Sequence, residues 1–265
     1  MLLQVILLAL VTFIFAIDQF SLTELLHRPI IACPIIGFIL GDTRIGLAIG
    51  GTYELMVVGN MPVGGAQPPN VVLGGVVSVV LGIKGNLPVE QALGASIIFS
   101  VFGQYVVTST FTLMSFLMAK ADKAAENANP RGIATTNYIY MFIFGSLFAV
   151  LAVIAFFVGD VVKEPLESFS KNYSWVMAGL GAAGGMMRFV GFAILLKIML
   201  APDMWGIYFA GFAAAAILGN IPATSGAALL LAAFIGIAIA LYDYTLNVKL
   251  KNIGGSGNGG MSDGI

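Results

Sequence analysis

Residues 30–83 read IIACPIIGFILGDTRIGLAIGGTYELMVVGNMPVGGAQPPNVVLGGVVSVVLGI. The stretch is apolar almost throughout, yet Pro34, Gly37, Gly41, Gly46, Gly50, Gly51, Gly59, Pro62, Gly64, Gly65, Pro68, Pro69, Gly74, Gly75 and Gly82 cut it into short pieces. A helix that crosses a bilayer core needs about 20 apolar residues, so few uninterrupted crossings fit here. Non-helical backbone at membrane depth is tolerated only where protein buries it or where it lines a cavity. The punctuation therefore predicts broken or re-entrant helices around a polar pathway, centred on residues 45–73.

The rest of the chain places that stretch in lipid. Of 265 residues, 59% are hydrophobic and 9% charged, with a mean hydropathy of +0.98, whereas a soluble domain carries about 25% charged residues. A water-facing surface would have to be built from the same Leu, Ile, Val and Phe that fill the core. Spans of crossing length lie at 2–17 with its flanks, 92–118, 138–158, 175–200 and 227–244. The first lacks a basic leader and is followed by Asp18-Gln19-Phe20 rather than a small-residue cleavage site, so it reads as a retained helix. A second, weaker break falls at 218–226. The expected architecture is all-α and polytopic: a membrane domain over 1–252 and a flexible Gly/Ser/Asn-rich tail over 253–265.

Two polar interruptions read as aqueous. Residues 120–131 resemble a helix end running into a proline-stopped loop, and 160–172 reads as a second loop with balanced charge. The positive-inside rule puts Lys120, Lys123, Arg131 and the Lys249/Lys251 end in the cytoplasm.

Several kinds of chemistry drop out early. Net charge is −1 and the 12 Lys and Arg are scattered, which leaves no basic track for nucleic acid. Cys33 and His27 are each the sole residue of their type, so no disulfide, zinc spacing or Cys/His nucleophile couple can form, and neither metal nor cofactor is expected. No Gly-x-x-x-x-Gly-Lys-[Ser/Thr] loop is present, so ATP does not drive this chain directly. The sequence offers no catalytic residue. The driving force must come from an ion gradient or from another subunit.

An ionisable side chain inside an apolar segment marks a ligand site, an ion path or a specific pair. Glu54, in Gly50-Gly51-Thr52-Tyr53-Glu54-Leu55, is the sharpest case, with no Lys or Arg close to it along the chain. It reads either as a substrate contact or as a carboxylate bonded to neighbouring backbone. The following loop supplies Asn60, Gln67 and Asn70, amides that both donate and accept as sugar hydroxyls require. An ordinary polar turn whose amides cap half-helices is the competing reading. Asp42, after Gly41, reads as a helix cap. His27-Arg28-Pro29 reads as interfacial, and Cys33 as a packing residue. Gly181, Gly184 and Gly185 suggest close helix packing around Arg188, which would pair with a carboxylate on another helix or subunit. Gln104 and Thr108 suggest interhelical hydrogen bonds.

Taken in order, His27-Arg28-Pro29-Ile30-Ile31-Ala32-Cys33, Gly41-Asp42-Thr43-Arg44-Ile45-Gly46, Gly50-Gly51-Thr52-Tyr53-Glu54-Leu55 and Ala121-Asp122-Lys123-Ala124-Ala125-Glu126 resemble the IIC subunit of the mannose–fructose–sorbose family of bacterial phosphotransferase systems. The resemblance covers nearly the whole chain except its tail. It implies a multi-pass sugar permease of the bacterial cytoplasmic (inner) membrane. The permease would work in a hetero-oligomer with a IID membrane subunit, while cytoplasmic IIA and IIB components carry phosphate on their own histidines. It implies an elevator-like motion of a core past a scaffold, and a sugar-site role for Glu54. It also implies that bacteriocins and phages can dock on such a protein. Where mannose-type members have Trp-Met-Asn and Ala-Pro-Asp, this chain has Asn60-Met61-Pro62 and Pro68-Pro69-Asn70, which is more similar to the N-acetylgalactosamine and galactosamine branch. The expected sugar-binding residues are thus Glu54, Asn60, Gln67 and Asn70. An ion-coupled carrier with Glu54 as its proton site, and a non-transporting scaffold or receptor, stand as alternatives.

Overall fold

The computed structural model describes residues 1–60, 68–221 and 226–254, apart from the side chains of 160, 162–164, 166, 167, 170, 171, 203 and 250–254. Among these residues the secondary structure is helical, with no strand. The helices are α1 (Leu2–Ser21), α2 (Pro29–Leu40), α3 (Thr43–Val57), α4 (Val71–Ile83), α5 (Val89–Glu126), α6 (Pro130–Asn172), α7 (Ser174–Met199), α8 (Trp205–Asn220) and α9 (Ala228–Gly254), with a 3-10 turn at Pro202–Met204. The long apolar ones are α1, α5, residues Pro130–Gly159 of α6, α7 and Ala228–Lys249 of α9. They coincide with the five spans expected from the sequence.

Residues 160–172 depart from expectation. They continue α6 as helix to Asn172, with Pro165 inside it. Charge balance shows where a segment meets water, and Lys and Glu are good helix formers there as well. Residues 120–131 hold two helix ends. Helix α5 stops at Glu126, Ala128 takes a positive φ of 47°, and Asn129 caps α6 by accepting from Gly132 N at 3.2 Å. Pro130 does not merely stop a loop but opens the next helix, as its missing N–H allows.

Met1–Ile198 and Met199–Ile265 are separate compact units. In the second, α8 packs against α9. Residues 222–225 of the weaker break, and the tail after Gly254, lie outside the described residues.

The first unit is organised around three short helices. With 12, 15 and 13 residues, α2, α3 and α4 are about 18–22 Å long at 1.5 Å per residue, short of a hydrocarbon core about 30 Å thick. None of the three can cross it alone, and their ends find partners in the protein, both backbone and side chain. Gly41 ends α2 at φ 101°, a conformation open to glycine, and its N–H reaches Gly37 O. Asp42 then caps α3, accepting from Arg44 N at 2.9 Å and Ile45 N at 3.0 Å. The two helices fold back on each other with their backbones in contact. A Cβ at Gly46 would come within 2.6 Å of Cys33 O and 2.9 Å of Gly37 Cα, and one at Gly50 within 2.6 Å of Pro29 O. Small residues four apart give this approach.

Helix α4 lies beneath the hairpin, lined by Val72, Val76, Val79 and Val80, all essentially buried. Polar groups between α3, α4 and α5 satisfy one another. Tyr53 OH and Ser100 Oγ are 2.6 Å apart, and Ser78 Oγ donates to Ser96 Oγ at 2.6 Å. Helix α6 supplies Phe144, Phe148 and Phe156 from one face to the same core. Gly184 and Gly191 of α7 touch backbone, the first at Glu90 of α5 and the second at Leu55 and Met56 of α3. The close packing expected around Arg188 is thus present at Gly184, while Gly185 faces open space.

Candidate functional site

Four chain ends converge on one cavity of about 210 Å³. The end of α1 brings Gln19 and Phe20, and the connection to α2 brings Glu24, His27, Arg28 and Pro29. Val57 and Asn60 come from the end of α3, and Pro68, Pro69 and Val71 from the start of α4. The N-termini of α2 and α4 both lie at this cavity; at α2 the first N–H groups are already bonded, Ile30 N to Glu54 and Ile31 N and Ala32 N to Arg28 O.

Glu54 has a cationic partner that the linear sequence hides. Arg28, 26 positions earlier, donates from Nη2 to Glu54 Oε1, and Ile30 N donates to Oε2 at 3.3 Å. One carboxylate thus neutralises a guanidinium and occupies a free N–H at the start of α2, which is why an acid is tolerated at this depth. Arg28 lines the cavity, while Glu54 stands behind it.

Asn70 is buried, and its bonding capacity is largely committed. Its Oδ1 caps α4 at Leu73 N (2.9 Å), its Nδ2 donates to Gln19 Oε1 (2.9 Å), and its backbone N–H reaches Ser100 O (2.8 Å). The residue on the cavity wall is Gln19, oriented by Asn70. Asn60 lines the cavity directly, with its N–H on Val57 O at 2.9 Å. Gln67 lies outside the described residues. Of the four expected contacts, then, Asn60 reaches the cavity wall, and Glu54 and Asn70 act on it through Arg28 and Gln19.

Gln19, Glu24, His27 and Arg28 are wall residues that sequence reasoning did not assign to the site. The signal was present in Asp18-Gln19 ending an apolar span and in the lone His-Arg-Pro of the chain. Neither reads as a site from the sequence, because nothing local shows that the two segments meet. Asp18 explains how they do. It is fully buried and accepts from Thr23 N (2.9 Å), Thr23 Oγ1 (2.7 Å), His27 N (3.0 Å) and His27 Nδ1 (3.0 Å). Glu24, inside the loop so formed, holds a positive φ of 57°.

Away from the cavity, Thr108 Oγ1 donates to the carbonyl of Gln104 in its own helix at 3.0 Å, in place of the interhelical bond expected. Arg188 donates from Nε to Gly185 O at 3.1 Å, and no carboxylate among the described residues pairs with it.

Against known proteins, the family model for the sorbose-specific IIC component of the PTS matches residues 2–242. The chain is 34% identical over 211 residues to the N-acetylgalactosamine permease IIC component 1 of Escherichia coli (strain K12), covering 80% of this chain and 78% of that one. It is 33% identical over 228 residues to the sorbose-specific EIIC component of Klebsiella pneumoniae (85% and 82%). The corresponding figures for the mannose-specific EIIC component of E. coli K12 are 30% over 243 residues (91% and 86%). A solved membrane-protein structure superposes with a TM-score of 0.81 at 28% identity, covering 92% of this chain and 96% of that one. The cryo-EM structure of the mannose transporter ManYZ with microcin E492 gives 0.58 at the same identity and coverage.

Proposed function

Because the chain belongs to the sorbose-type IIC family of the phosphotransferase system, a family of sugar permeases in the bacterial inner membrane, we propose that the cavity at the ends of α1–α4 receives an amino sugar, N-acetylgalactosamine or galactosamine. The convergence of Gln19, His27, Arg28 and Asn60 on one small cavity between helix ends carries this reading. Amides and a guanidinium offer the donors and acceptors that a polyhydroxylated ring needs, and they bring little net charge into the membrane. The branch preference is supported by Gly65-Ala66-Gln67-Pro68-Pro69-Asn70 and by the relative named for N-acetylgalactosamine.

In this reading the chain binds and translocates the sugar beside a IID membrane subunit, and a cytoplasmic IIB component phosphorylates it with phosphate relayed from IIA. An elevator-like displacement of the short-helix core would carry the site across. Glu54, the acid that an ion-coupled carrier would use, is paired with Arg28. Competition uptake in cells with the whole system should rank N-acetylgalactosamine above mannose; the reverse order overturns the branch preference. Uptake that survives loss of the phosphorelay and collapses with an uncoupler overturns the phosphotransferase reading. The purified chain, reconstituted without partners, should yield no sugar phosphate from phosphoenolpyruvate and the soluble phosphorelay.

A further inference from the structure

We infer that His27 is a sugar contact whose ring is set by Asp18 to offer Nε2 as a hydrogen-bond acceptor, and that Asp18 is the positioning residue for the site. The inference rests on the sugar-cavity reading above. It concerns two residues, Asp18 and His27, for which that reading gave no atomic role.

The geometry fixes the tautomer. Both oxygens of Asp18 accept from backbone N–H groups, Oδ1 from Thr23 at 2.9 Å and Oδ2 from His27 at 3.0 Å. Oδ2 also lies 3.0 Å from His27 Nδ1. As a carboxylate Asp18 can only accept, and in that state Nδ1 carries the hydrogen of this contact. In the neutral ring the lone pair is then on Nε2. The polar side-chain atoms buried without a partner among the described residues are Thr12 Oγ1 and Tyr140 OH. His27 Nε2 is not one of them, and no described residue bonds it. It therefore has exposed surface, and His27 is a wall residue of the cavity.

The next residue completes the chemistry. Arg28 lines the same wall and can only donate, and its guanidinium is anchored by Glu54. An acceptor at 27 beside a donor at 28 reads a hydroxyl in both directions, its hydrogen to Nε2 and its oxygen from the guanidinium. Each member is held by a carboxylate outside the cavity wall, Asp18 for one and Glu54 for the other. A ligand lacking a donor at that position leaves Nε2 unpaired, a loss that selects for hydroxylated or amide-bearing rings.

The test uses the intact membrane complex, purified without a polyhistidine tag and labelled with ¹⁵N-histidine. His27 is the only histidine of this chain, so the imidazole signal missing from a His27→Gln complex identifies it among the partners' histidines. The expected spectrum has Nδ1 protonated and Nε2 unprotonated, and N-acetylgalactosamine at saturation moves Nε2. An Nε2–H tautomer, or an Nε2 signal unmoved while calorimetry reports sugar binding, overturns the inference and leaves the cavity reading standing. If calorimetry reports no binding of any sugar tested, both fall. A pair of substitutions separates contact from scaffold. His27→Asn keeps a polar atom at the Nδ1 position and loses Nε2; His27→Gln places its amide near Nε2. A sugar contact predicts at least about a tenfold rise in KM for His27→Asn and about threefold for His27→Gln, whereas a purely structural histidine gives the opposite order. Asp18→Asn should raise KM about tenfold with Vmax less affected, and should shift the tautomer signal toward Nε2–H.

Discussion

The short helices and the outer stretches of the long ones differ in where their polar side chains find partners. In α5 and α6 the threonines bond back into their own helix, Thr108 to Gln104 O, Thr112 to Thr108 O, Thr135 to Arg131 O and Thr136 to Gly132 O, each four residues away. These bonds satisfy a hydroxyl in lipid and lead to no site. Around α2, α3 and α4, Thr52 and Ser78 also bond back, to Ala48 O and Gly74 O, but further polar groups bond between elements: Glu54 to Arg28 and Ile30, Asn70 to Gln19, and Tyr53 and Ser78 to Ser100 and Ser96 on the facing stretch of α5. For Glu54 with Ile30 and for Asn70 the cause is the helix end. A helix that stops inside the membrane leaves unpaired N–H and C=O groups there, and other segments must supply partners. The same ends leave a cavity with polar walls.

Substitutions at the hairpin contact should break this contrast most severely. Gly46→Leu would drive a branched side chain into Cys33 O and the backbone of Gly37, and neither can yield without parting α2 from α3. Overpacking costs about 1–3 kcal/mol and more where backbone must move, so the variant should lose most folded protein in a detergent thermal-melt assay. Gly185→Leu, on α7, meets nothing within 4 Å, and its melt should be nearly native. Similar losses at both positions would show that the short-helix hairpin is no tighter than the long helices.

The next effect belongs to Glu54 and Arg28. A double-mutant cycle with Glu54→Gln and Arg28→Gln, read as sugar affinity in the assembled complex, should give a coupling of about 1.5–3 kcal/mol, the range for hydrogen bonds to charged groups. Glu54→Gln should weaken binding while co-purification with the membrane partner persists. Once Arg28 is gone, changing Glu54 should matter little, because it acts through the guanidinium. A full loss from Glu54→Gln in the Arg28→Gln background would instead make the carboxylate a direct sugar contact.

Thr108→Val should show the smallest effect. Replacing a hydroxyl that bonds its own helix by a methyl of the same shape should change stability by no more than about 0.5 kcal/mol and leave uptake unaltered. A clear loss of uptake would mean that the face of α5 carrying Thr108 meets a polar partner, and the contrast between long and short helices would need redrawing.

Much of this was legible in the residues. Five long apolar runs marked the crossings, dense Gly and Pro marked the broken core, and Asp42 after Gly41 announced its cap. Each signal is local: it depends on one segment's partition into lipid or on the backbone demands of one turn. The helical character of 160–172 was missed because charge reports contact with water, which a helix allows as readily as a loop.

Segment-by-segment partition into lipid is enough to specify a membrane protein with a broken core and a carboxylate within it. Only the tertiary structure decided which polar groups share a wall. Glu54 meets Arg28 across 26 positions, Asn70 meets Gln19 across 51, and Asp18 meets His27 across nine. Those partnerships follow from where helix ends are brought by the packing of Gly37, Gly46 and Gly50 and of the valine face of α4. The residues that meet in the cavity are therefore set by packing between segments, which no single window of sequence contains.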